Sequence, residues 1–135
     1  MPRATLEILK GRTLDQKRAL AKEITALLQE YLGKPEAAFN GFLRILESNP
    51  EDLGSNAELC ADAFARGEGY VGKPEPRLTI QYLAGGMDSL DMRRTFVRRV
   101  TDVLVGILGV PEGNVLVLLL EIPKSRFASN GVMVA

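Results

Sequence analysis

Between residues 4 and 9 apolar Ala4, Leu6 and Ile8 interleave with Thr5, Glu7 and Leu9, and Lys10-Gly11 then breaks the pattern. A period of two predicts a β-strand. From Leu14 the period lengthens: Leu14, Ala21, Ile24, Leu27, Leu28 and Tyr31 recur at helical spacing to about Leu32. Thr13 fits the N-cap, with Gln16 three residues on completing a capping box, while Gly33 and Pro35 end the helix. An apolar stretch from Phe39 to Glu47 then predicts a closing strand.

The same grammar returns later. With an offset of 74, Pro2 to Gly11 falls on Pro76 to Gly85. A two-residue insertion around Gly86-Met87-Asp88 shifts the offset to 76, so that Thr13 to Arg18 matches Ser89 to Arg94 and Leu32-Gly33-Lys34-Pro35-Glu36 matches Leu108-Gly109-Val110-Pro111-Glu112. The second helix has Ser89 as cap, Phe96, Val100, Val103, Leu104 and Ile107 on its apolar face, and Gly109 then Pro111 as its stop. Its closing strand, Val115 to Glu121, alternates little and is expected to be buried on both faces.

The reading is one α/β domain of two pseudo-repeats, 2–54 and 76–135, joined by a connector over 55–75. Each repeat is β-α-β. Strands joined through a helix run parallel with a right-handed crossover, so the pair gives a four-stranded sheet with two helices on one face. The other face is expected to be exposed and apolar, which requires oligomerisation. In the connector, Asn56 to Phe64 reads as a short helix and Gly67 to Pro74 as a glycine-rich turn or hairpin. The latter lacks the Gly-Lys-Ser/Thr ending of a phosphate loop.

Composition narrows the chemistry. The 135 residues carry 17 basic and 17 acidic side chains, so no global field draws nucleic acid or an anionic membrane. No signal peptide is recognisable, and the longest apolar run, Val115 to Leu120, falls far short of the ~20 residues a spanning helix needs. Cys60 is the single cysteine, which fits a reducing cytoplasm and reads as a small buried hydrophobe. There is no histidine, which removes histidine-based triads and the commonest zinc ligand, so no metal site is expected.

One asymmetry points to chemistry. Removing Met1 would leave Pro2 with a free secondary amine, whereas the nitrogen of its twin Pro76 is an amide. Burial and a nearby cation push an amine's pKa down, which suits a general base at cellular pH. Arg12 ends the first strand, and in the second copy Gly86 stands at its place. A guanidinium pairs bidentately with a carboxylate.

Pro2 after Met1, a strand ending in Leu9-Lys10-Gly11-Arg12-Thr13, and Asp15 to Leu20 on a helix resemble the opening of 4-oxalocrotonate tautomerase. Glu121 to Gly131 in the second copy resembles that family's C-terminal segment. The whole chain resembles a fused, double-length member of the tautomerase superfamily. The resemblance implies a β-α-β fold, catalysis by the amino-terminal proline without a cofactor, and a homotrimer of double-length chains with sites at subunit interfaces. It implies Pro2 and Arg12 as catalytic residues and a small carboxylate-bearing substrate, a 2-oxo acid interconverted between enol and keto forms. Phe127 falls at the position of a site-lining aromatic, and Arg126 is a candidate at a subunit boundary.

Two departures matter. Counting through the helix, the family's second arginine falls on Asn40. Arg44, four residues further along the same strand face, is the other candidate, or an interface ion-pair residue. The same count puts apolar Leu116 at that place in the second copy, so the second half reads as structural. Leu83 to Asp88 lacks the paired arginines of the superfamily's dehalogenase and decarboxylase branches. The alternatives are a proline-assisted hydratase or dehalogenase of unsaturated acids, and a non-enzymatic trimeric binding protein.

Overall fold

The computed structural model describes residues 2–33, 40–68 and 75–133. The chain runs β1 (Arg3–Leu9), α1 (Leu14–Leu32), β2 (Phe42–Ser48), the short strands β3 (Gly54–Ser55) and β4 (Glu58–Leu59), and α2 (Cys60–Ala65). It continues with β5 (Arg77–Leu83), α3 (Leu90–Leu108), β6 (Leu116–Ile122) and a last hairpin, β7 (Ala128–Ser129) with β8 (Val132–Met133). The expected Pro35 stop, the Phe39 strand start and most of the Gly67 to Pro74 turn lie outside the described residues.

The main sheet has the order β2-β1-β5-β6. β1 and β2 are parallel, as are β5 and β6, while β1 and β5 meet antiparallel about a Thr5–Thr79 pair. Alternation decides the faces. Ala4, Leu6 and Ile8 from β1 and Leu78, Ile80 and Tyr82 from β5 point to one side and are buried under both helices. Leu20, Ile24, Leu27 and Leu28 of α1 and Phe96, Val100, Leu104 and Leu108 of α3 complete that core. Where the helices meet, the Tyr31 and Phe96 rings pack edge to face with centroids 5.3 Å apart.

The caps follow the sequence. Thr13 accepts from the Gln16 N–H while Gln16 reaches back to the Thr13 N–H, completing the box. Ser89 accepts from the Met92 N–H. Gly109 closes α3 in the left-handed conformation, φ 68°, which glycine adopts without a Cβ penalty.

Three expectations change. The uncovered sheet face is mixed, since the central strands present Arg3, Thr5, Glu7, Arg77, Thr79 and Gln81 there. Its exposed apolar side chains lie on the outer strands, Phe42 and Leu46 on β2 and Leu116 and Leu120 on β6. β6 is therefore an edge strand with one uncovered face; its continuous apolar run imitates a doubly buried strand. Asn56 and Ala57 belong to no helix. They have φ of 53° and 65° and join β3 to β4 as a two-residue hairpin turn, and the short helix starts only at Cys60.

The repeat is visible in the backbone. β3 and β4 plus 74 residues give β7 and β8, and Asn56-Ala57 becomes Asn130-Gly131, again with both φ positive. β2 and β6 also correspond at 74, because the insertion before α3 is offset after it. The counterpart of Asn40 is thus Asn114, and the counterpart of Leu116 is Phe42.

Candidate functional site

Pro2 is buried at the start of β1. Its carbonyl accepts the Phe42 N–H at 3.1 Å, the first bond of the β1–β2 ladder, which belongs to the Arg3–Phe42 pair. Continuing the β1–β5 register by one pair sets Tyr82 on its other side. Pro2 therefore sits at the end of the sheet where β5 leaves its ladder, with its ring on the helix side of the sheet in phase with Ala4 and Leu6.

That end is apolar but carries charge at its edge. Tyr82 is buried, and burial first, then the Glu121 carboxylate on the next strand, raise its phenol above the ordinary value, with Arg93 opposing. Arg93 donates to the Met87 carbonyl at 2.8 Å. It stands in the first turn of α3, at the helix position that Lys17 has in α1. Lys17 pairs with Glu47 at 2.6 Å, and Glu47 and Glu121 correspond at 74. Tyr82 and Arg93 were not singled out by the sequence reading, since only the tertiary pairing brings them to Pro2's end. At Gly86, a Cβ would come 2.6 Å from Leu32 Cδ2, so close packing of the two halves fits the absence of a side chain there.

Of the residues expected at the site, Asn40 stands two residues ahead of β2, at Pro2's end, and is exposed. Arg44 lies in mid-strand opposite Thr5 and projects from the uncovered sheet face, opposite the helix side that the Pro2 ring faces. Arg126 is exposed and Phe127 half-buried, both just ahead of the β7–β8 hairpin. In that hairpin the apolar side chains Val132 and Met133 are 66% and 48% exposed.

Arg12 stands elsewhere. β1 rises about 3.3 Å per residue, which puts roughly 20 Å between Pro2 and the far end of the strand. There the Arg12 guanidinium donates to Glu75 Oε1 at 2.8 Å and to the Leu9 carbonyl at 3.1 Å. Glu75, 1% exposed, also accepts the Leu9 N–H at 3.4 Å. The antiparallel meeting of β1 and β5 thus sets Arg12 beside internal Pro76, not beside the Pro2 of its own chain. Glu75 too escaped the sequence reading, although its position 74 residues after Met1 marks it as the residue ahead of the second proline.

A groove of about 470 Å³ opens between α3 and β6, lined by Leu90, Arg93, Arg94, Val97, Arg98, Thr101 and Leu119. It lies along the outer edge of the sheet, with β5 between it and β1. No group of three or more acidic or cysteine side chains among the described residues is arranged to hold a metal ion. No described helix is long and apolar enough to cross a membrane.

Known proteins match this arrangement. The tautomerase enzyme family profile matches residues 2–49 and 76–135, once per repeat. A probable tautomerase of Bacillus cereus is 39% identical over 54 residues, covering 40% of this chain and 88% of that protein. A probable tautomerase of Streptococcus pneumoniae is 45% identical over 38 residues, covering 28% of this chain and 63% of that protein. Among solved structures, native fused 4-OT superposes with a TM-score of 0.77 at 18% identity, covering 98% of this chain and 95% of that one. Pt0534 inactivated by 2-oxo-3-pentynoate gives a TM-score of 0.76 at 16% identity, with the same coverage. With the profile matched over both halves and short relatives matched over most of their own length, the chain belongs to the tautomerase family.

Proposed function

We propose that this chain is a cofactor-free keto–enol tautomerase of a small 2-oxo acid, working from the nitrogen of Pro2 once Met1 has been removed. The observation that carries the reading is the position of Pro2. It is buried at a strand end, its carbonyl is held by Phe42, and its nitrogen is the one atom that Met1 removal converts to a base. The family membership supports the isomerase class.

In the proposed cycle the Pro2 nitrogen takes a proton from the enol hydroxyl and the resulting prolinium returns it to carbon, leaving the ketone. The apolar surroundings disfavour the charged amine and keep it basic only near neutrality. Negative charge builds on the substrate oxygen during transfer, and fixed donors nearby stabilise it. Asn40 is a donor at Pro2's end of the same chain. Arg44, Arg126 and Phe127 stand on an edge strand and beside an exposed hairpin, which suits residues delivered to the site of a neighbouring chain. Arg12 reaches a Pro2 only from another chain, and its buried pair with Glu75 fits a structural role better.

A homotrimer fits these requirements. Fused 4-OT has been solved as symmetric and asymmetric trimers, and here, among the described residues, both outer strands leave an unpaired edge with exposed apolar side chains. Pt0534, inactivated by the 2-oxo acid 2-oxo-3-pentynoate, supports the substrate class.

The test is the rate of ketonisation of phenylenolpyruvate by protein whose mass lacks Met1. Wild type is expected to be active and Pro2→Ala to lose most of that rate. An unaltered rate in Pro2→Ala overturns the reading.

A further inference from the structure

Two-fold pseudosymmetry gives the sheet two proline ends, and only the Pro2 end has entered the proposed chemistry. At the other end Glu75 occupies the place that Met1 holds in the first copy. Its side chain turns inward. It is 1% exposed, accepts from the Arg12 guanidinium at 2.8 Å, and accepts from the Leu9 N–H at 3.4 Å. A carboxylate held by an arginine and a main-chain N–H is the arrangement expected for a bound carboxylic acid, here supplied by the chain itself.

A second observation comes from the neighbouring strand. The Leu116 N–H donates to the Pro76 carbonyl at 3.0 Å, which brings the start of β6 to the Pro76 end of the sheet, and the short 3-10 turn Glu112–Asn114 lies just ahead of that start. Asn114 Nδ2 is buried without a hydrogen-bond partner, alone in this among the side-chain nitrogens and oxygens of the described residues. A buried unpaired amide donor is costly, so a spare donor stands at the end where Arg12 and Leu9 already hold an anion.

We infer that the Pro76 end is a second carboxylate-binding site, filled in this chain by its own Glu75, and that it takes a small monocarboxylate when that side chain is removed. Reading Arg12 as a former substrate-carboxylate holder rests on the proposed tautomerase function; the site itself rests on the contacts above. The pair excludes an outside acid in the native chain, because a tethered carboxylate competes at high effective concentration. Arg12 in turn neutralises a buried charge that would otherwise stand alone.

Glu75→Ala removes the atoms Cγ, Cδ, Oε1 and Oε2, for which acetate is an atom-for-atom replacement. Thermal unfolding of the full chain is followed in acetate and in chloride of equal ionic strength. The variant is expected to melt below wild type and to recover progressively with acetate beyond any effect of chloride, as ligand linkage requires. Wild type and the Glu75→Ala, Arg12→Met double variant are expected to show no acetate-specific recovery. Should Glu75→Ala not fold in chloride, its refolding yield is compared in the two salts, and a gain confined to acetate and absent in the double variant supports the site. Equal behaviour in acetate and chloride, or an equal acetate response in the double variant, overturns it. None of these readouts depends on turnover at Pro2, so an inactive enzyme would leave the inference standing, and an active one would not rescue it.

Discussion

The Phe42 N–H is bonded to the Pro2 carbonyl at 3.1 Å, as the Leu116 N–H is to the Pro76 carbonyl at 3.0 Å. Both prolines are thus locked to their parallel neighbours in the same way, and what differs is the residue ahead of each. Pro2 follows Met1, which can be removed. Pro76 follows Glu75, which is buried against Arg12. If Met1 is retained, the ladder is undisturbed and the nitrogen is an amide. Protein carrying Met1 is expected to keep the melting temperature of the processed form and to lose kcat/KM by the ~10²–10⁴ that a general base contributes. Intact mass together with kinetics on phenylenolpyruvate checks this, and comparable rates for the two forms would rule it out.

Arg12 and Glu75 form a pair that is 12% and 1% exposed. Arg12→Ala leaves the carboxylate buried without its counter-charge, a change that costs ~3–5 kcal/mol in buried pairs. Urea unfolding measures it. A variant as stable as wild type contradicts the buried pairing.

Tyr82 contributes to the alkaline limit. Its phenol is raised from the ordinary value of 10.0 by burial and by the charge of Glu121. The folded chain therefore holds this proton more tightly than the unfolded chain does. The associated stability is fully present below the unfolded value and is lost as pH rises through the folded one. Tyr82→Phe is expected to flatten the fall in stability above about pH 10, read from denaturation midpoints at stepped pH. An identical alkaline limb in both proteins would refute this.

The packing between helices has a measurable centre. Phe96 is fully buried and meets Tyr31 edge to face. Phe96→Ala is expected to cost ~3–5 kcal/mol. Thr13→Ala, which removes a capping box at the exposed start of α1, is expected to cost ~1 kcal/mol. Both are read by urea unfolding, and the ordering itself is the test: a cap loss as large as the core loss would mean that α1, not the inter-helix core, dominates stability.

Much of this fold was legible because its signals are local. Thr13 with Gln16, Ser89, and Gly109 with Pro111 bound the helices in sequence and in space. The repeat at 74 and 76 residues delivered the two β-α-β units. β6 escaped because a continuous apolar run reads alike in a doubly buried strand and in an edge strand awaiting a neighbour. The Asn56-Ala57 turn escaped because alanine at positive φ is a poor turn signal, although its twin Asn130-Gly131 is a strong one. The pairing of Arg12 with Glu75 escaped for a deeper reason. The strand β1 already sets Pro2 and Arg12 apart; what no spacing within a strand encodes is the non-local antiparallel meeting of β1 and β5 that gives Arg12 its partner Glu75.

The central claim is that Pro2 acts as a base, and titration of a ¹⁵N-labelled Pro2 nitrogen in Met1-free protein tests it most directly. The account predicts a pKa at or below neutrality that coincides with the acidic limb of kcat/KM on phenylenolpyruvate. A value in the alkaline range of a free secondary amine would contradict it, because Pro2 would then be a protonated acid at working pH and the chemistry would have to start from a different group.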